Sequence, residues 1–226
     1  MTRTFLFLVF ALAGLVVLLW LGVWQLQRLA WKNGILAEIE ARIAAAPVAL
    51  PEGPDAEADK YLPVELTGQF GAGVLRVLVS QKLVGAGYRL ITPFEVDGRT
   101  VLLDRGFIPV AADLTPAPAG QVTVTGNLHW PDDRNSSTPA NDLEGNTWFA
   151  RDLDQMAQVL GTEPLLIVAR DLSQADGAVT PLPVDTSAIP NDHLQYAVTW
   201  FGLAAIWTAM MGYFLYRLRN PAKGAA

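Results

Sequence analysis

Residues 4–24 read TFLFLVFALAGLVVLLWLGVW, an uncharged stretch that spans a hydrocarbon core of about 30 Å at about 1.5 Å of rise per residue. A helix that is apolar on every side has no face for water, so this stretch sets the fold class as a membrane protein. Residues 194–216, LQYAVTWFGLAAIWTAMMGYFLY, form a second such span. Arg217, Arg219 and Lys223 follow it, while no basic residue lies between Asp171 and His193. The excess of positive charge places the C-terminus in the cytoplasm. Arg28 and Lys32 after the first span, against Arg3 before it, argue for the opposite hand. A long intervening domain is translocated largely regardless of charge, so both termini are expected inside. The first span reads as an uncleaved signal anchor, because Trp24, Gln25 and Arg28 stand where small residues would mark a cleavage site.

All 22 acidic side chains fall between Glu38 and Asp192, and twelve of the basic ones lie between the two uncharged stretches, from Arg28 onward, which leaves the middle of the chain at a net −10. So acidic a domain excludes nucleic acid as a partner, since phosphate binding needs a basic face. Cysteine is absent, which removes disulfides and thiolate metal sites.

Between the spans, residues 47–60 (PVALPEGPDAEADK) stop the charged helix expected over Trp31 to Ala46, because proline cannot continue it. Leu62–Leu66, Val74–Val79, Tyr88–Phe94, Thr100–Ile108 and Val122–Leu128 then read as strands separated by glycines. Asp97-Gly98 is a tight hairpin turn between two of them. Asp152–Leu160 reads as a helix capped by Asp152 and ended by Gly161, and Leu165–Ala169 returns as a strand. Pro131–Gly145 and Ser173–Pro190 are loops. The expected organisation is a transmembrane helix at 4–26, a helical extension and Pro/acidic linker at 27–60, an exported periplasmic domain at 61–190, a second transmembrane helix at 194–216 and a basic cytoplasmic tail at 217–226. The exported domain is α+β, with a mainly antiparallel sheet or partly open barrel.

No phosphate loop, dinucleotide fingerprint, hydrolase elbow or His-Glu-x-x-His helix is present, and no set of nucleophile, base and stabilising group assembles. His129 reads as an ordinary surface or hydrogen-bonded histidine, and Gly106 beside Arg105 as a turn glycine. His193 opens the second span, where two readings fit: an interfacial residue capping the helix with Asn191, or a neutral imidazole presented to iron. His193, Tyr196, Ala197, Trp200, Ala204, Trp207 and Met211 share one helical stripe, which suits either a flat macrocycle or packing against the first span. Trp20, Trp24 and Trp31 share a face of the first helix and read as an interfacial belt. Arg28 can pair with carboxylates or snorkel to headgroups.

Five blocks occur in order: GVWQLQRLAWK (Gly22–Lys32), YRLITPF (Tyr88–Phe94), LLDRGFIP (Leu102–Pro109), NTWFARDLDQMA (Asn146–Ala157) and NDHLQYAVTWFGLA (Asn191–Ala204). With them the chain resembles the surfeit-locus family of cytochrome oxidase assembly factors, of the Surf-one/Shy-one type, from about Gly22 to Tyr216. The last block is the most specific. Asp104 stands where the family commonly has Asn, and Phe107 where Trp is frequent. The resemblance implies a multi-pass protein of the bacterial inner membrane that assists assembly of a haem-copper terminal oxidase, without catalysing a reaction. It implies transient binding of haem a and help in its insertion into the catalytic subunit, with haem a synthase and the lipid bilayer as further partners. The family's histidine in the last block carries over to His193 as axial ligand of the haem iron, the one metal role expected. Trp24, Arg28, Tyr196 and Trp200 are added from position as the haem surroundings. A structural chaperone that binds no haem is the alternative.

Overall fold

The computed structural model describes residues 2–82, 84–187 and 189–220. They divide into two compact units, one from residues 1–38 and 187–226, the other Ile39–Thr186. Two candidate membrane-spanning helices flank a sheet-rich domain.

Helix α1 runs unbroken from Thr2 to Ile43, 42 residues and about 63 Å, so the apolar span and the charged segment after it are one element. Its last carbonyl, on Ile43, accepts hydrogen bonds from Asn127 Nδ2 at 3.0 Å and Arg170 Nη1 at 3.2 Å. These donors satisfy a helix-end acceptor that would otherwise lack a partner. Helix α3, His193–Arg219, is the second candidate span, with Arg217 and Arg219 in its last turn; Lys223 lies outside the described residues.

The second unit is built on β1 (Pro63–Phe70), β2 (Leu75–Gln81), β3 (Gly85–Val96), β4 (Arg99–Pro109), β5 (Val122–His129) and β6 (Leu166–Leu172), with helix α2 (Leu153–Leu160) before β6. The strand order is β1-β5-β6-β4-β3-β2, and β1 also meets β3 at Gln69↔Glu95 and Phe70↔Phe94. Every pairing is antiparallel except β4 with β6. Alternation sends neighbours to opposite faces. Leu103 joins Val64, Phe94, Leu128 and Ile167 in one core, whereas Leu102 joins Ile91, Trp148, Met156 and Leu166 in another. The β3–β4 turn has φ of 50° at Asp97 and 75° at Gly98, two positive values as a tight hairpin requires.

Three local expectations are corrected. Gly106 is no turn residue: it sits inside β4 at φ 123°, and a side chain there would strike the Thr180 carbonyl. The segment read as a loop runs beside β4 there, with Phe107 and Thr180 exchanging backbone hydrogen bonds at 2.7 and 2.9 Å. Asp152 precedes α2 without capping it; Arg134 and Asn141 bind its carboxylate instead. His129 is neither exposed nor hydrogen-bonded at Nδ1, which is buried without a partner while the ring lies 5.8 Å from that of Tyr61. Burial, with the positive charges of Arg151 and Lys60, drives its pKa down to about 3.

Charged pairs lie within the same unit. Asp104 is fully buried, 2.5 Å from Arg89 and accepting the Gly106 N–H at 3.0 Å. Burial raises its pKa, and Arg89 and Arg151 pull it back. Arg105, also buried, pairs with Asp176 and donates to the Thr115 carbonyl.

Candidate functional site

The candidate site lies in the seam between α1 and α3, which run antiparallel. Small residues let the helices approach, as membrane helices require. A methyl group added at Gly14 would stand 2.7 Å from Trp207 Cζ2, and one at Gly22 would stand 2.7 Å from Phe201 Cε1. Ala197 and Ala204 are buried against the seam. Trp207 donates its indole N–H to the Ala11 carbonyl at 2.8 Å, and its ring sits 5.5 Å from Phe10. Phe7 and Phe214 stack 4.6 Å apart beyond them.

Toward the start of α3 the seam turns polar. Asn191 Nδ2 donates to Asn33 Oδ1 at 2.8 Å. His193 Nδ1 lies 2.8 Å from Gln25 Oε1, and Gln25 is only 8% exposed. An amide oxygen only accepts, so this contact is a hydrogen bond when the ring carries a proton on Nδ1.

The residues expected around His193 divide. Trp200 is half-buried on the seam side of α3. Tyr196 is 55% exposed and Trp24 42% exposed, so both rings look outward from the helix pair. Arg28 is exposed, its guanidinium 4.3 Å from the Trp31 ring centroid. The long stripe on α3 is mainly a packing face: Ala197 and Ala204 are buried, and Trp207 is spent on Ala11. Trp20 and Trp31 are exposed. Sequence reasoning left Gln25 without a role. The available signal was its phase with Gly14, Leu18 and Gly22 on one face of the uncharged part of α1, residues 4–27.

Residues 12–205 match the model of the SURF1 family. The chain belongs to the SURF1 family. It is 32% identical to surfeit locus protein 1 of Mus musculus, with 89% of this chain and 72% of that protein aligned. It is 34% identical to surfeit locus protein 1 of Xenopus tropicalis over 83% and 69% of the two chains. A bacterial relative, the SURF1-like protein of Rickettsia felis, is 33% identical over 89% of this chain and 92% of its own length. Gln25 and His193 both fall inside the region matched to the SURF1 family. Among the described residues no group of three or more His, Asp or Glu side chains could hold a metal ion.

Proposed function

We propose that this SURF1-family protein is an assembly factor of a haem-copper terminal oxidase, which receives haem a as transient cargo at His193 and assists its insertion into the catalytic subunit. The observation that supports this reading most is the pairing of His193 with Gln25, which engages Nδ1 of a partly exposed ring and, in this reading, keeps Nε2 for a ligand. A flat macrocycle fits the outer flank of the helix pair and not its interior, where Gly22 already meets Phe201 and Ala197 and Ala204 are buried. The exposed rings of Trp24 and Tyr196 offer apolar surface, and exposed Arg28 a cation for carboxylates. One protein ligand suits a carrier, which must accept its cargo and then surrender it.

In this reading α1 and α3 cross the bacterial inner membrane, both termini are cytoplasmic, and the domain between them is periplasmic. The sheet, with β1 touching both β5 and β3, is read as a partly open barrel that meets the oxidase catalytic subunit or haem a synthase. The protein does not catalyse a reaction. A second reading, a structural chaperone without haem, is favoured by the close packing of the seam, most of whose aromatic and small residues serve helix contact.

Complementation separates the two. In a strain lacking the protein, the wild type restores oxidase activity and haem a content of the assembled enzyme, and His193→Ala does not. Full restoration by His193→Ala at equal protein level removes haem carriage through His193 and leaves assembly by protein contact.

A further inference from the structure

Gln25 and His193 form the seam's one pairing of an imidazole with a side-chain amide among the described residues, and the amide offers its oxygen, 2.8 Å from Nδ1. We propose that Gln25 is a positioning residue: its Oε1 fixes His193 as the Nδ1–H tautomer, so Nε2 is the one nitrogen the ring can give to iron, and it keeps that nitrogen a moderate donor. The proposal rests on the haem reading above for its purpose, but its geometry stands without it.

Each step follows from the chemistry of the two groups. A neutral imidazole has one N–H and one lone pair, and the partner of the first decides where the second points. Had the amide nitrogen faced Nδ1, that nitrogen would accept, the proton would sit on Nε2, and the outer edge of the ring could not ligate a metal. Gln25 is nearly buried in the seam between the helices, so packing holds its amide beside the ring, and water competes poorly for the contact. Metal-bound histidines are commonly oriented through this same second nitrogen, and the partner tunes how strongly the ring donates. A carboxylate partner would pull the proton and strengthen the iron bond. An uncharged amide orients the ring with less pull, which suits a site that must release what it binds.

The test uses full-length protein in lipid nanodiscs with nitrogen-15-labelled histidine, first without haem. Long-range proton–nitrogen correlation reads the tautomer of His193, and His129→Phe removes the second histidine signal. The expected result is a protonated Nδ1 and an unprotonated Nε2 in the wild type. Gln25→Leu should move His193 toward the Nε2–H form. A wild-type His193 protonated at Nε2, or a tautomer unmoved by Gln25→Leu, overturns the proposal. Haem a is then loaded. Gln25→Glu should lower the midpoint potential of the bound haem and raise the iron–histidine stretching frequency, while Gln25→Leu should weaken haem retention by about tenfold or more. Loaded variants with unchanged potential, stretch and retention overturn the tuning role. If the tautomer is as expected and no haem binds, the haem reading fails and the positioning of His193 by Gln25 stands.

Discussion

The indole N–H of Trp207 on α3 is hydrogen-bonded to the backbone carbonyl of Ala11 on α1, at 2.8 Å. Ala11 lies in a helix, where its carbonyl already serves the backbone, so the indole is an additional donor between two apolar elements. Gly14 makes room for the ring, since a methyl group there would stand 2.7 Å from Trp207 Cζ2.

Trp207→Phe keeps the ring and removes the donor. It should weaken the helix pair by about 0.5–2 kcal/mol, the range of interhelical hydrogen bonds in membranes. Gly14→Ala should cost as much again by displacing the ring. Thermal unfolding of the full chain in detergent checks both. A Tm within error of the wild type for Gly14→Ala would refute close packing at that point.

Arg105 and Asp176 make a buried pair beside Gly106, where β4 takes Thr180 as a neighbour. Removing one charge strands the other, so Arg105→Leu or Asp176→Leu alone should cost about 3–5 kcal/mol. The double substitution should cost much less than the two added together, because no uncompensated charge remains. Thermal denaturation of the four proteins gives the coupling directly. Strict additivity would show that the pair does not act as a unit.

His129 makes stability depend on pH. Its folded pKa, about 3, lies below the unfolded value near 6.5, so the unfolded chain holds a proton that the folded domain does not. Its contribution is complete above about pH 6.5 and is lost as pH falls through that value toward 3, at up to about 1.4 kcal/mol per pH unit. Asp133 is half-buried, which raises its pKa, but the hydrogen bonds and charge of Arg151 outweigh this and leave it below the usual carboxylate range. Its contribution is present above the unfolded carboxylate pKa and fades below it, so Asp133 acts at lower pH in the same direction. His129→Phe should flatten the loss between pH 7 and 5. Denaturant midpoints measured across that range decide it, and parallel slopes for the two proteins would remove His129 as the cause.

Much of this was readable from residues alone, for physical reasons that also explain what was missed. Thr4–Trp24 and Leu194–Tyr216 announce themselves because an uncharged run of that length has few other solutions. The strands from Val74 to Leu128 were legible because apolar alternation and turn residues coincide, as at Asp97-Gly98. Gly106 was misread because the backbone that leaves no room for a side chain there is that of Thr180, a residue 74 positions away. Asp152 had the right chemistry for a cap but was taken by Arg134 and Asn141, partners that only tertiary structure brings near. Of the site, His193 stood out as a titratable residue at the mouth of an apolar span. Gln25 did not, since a glutamine at the end of a helix has many uses and its partner lies 168 residues along the chain.

The most direct measurement is the visible spectrum and pyridine haemochrome of the full-length protein purified from membranes in which haem a is being synthesised, with His193→Ala prepared in parallel. The account predicts a haem a spectrum in the wild type that is lost in the variant. A colourless wild type from such membranes, or a variant that keeps the same haem a, would contradict it.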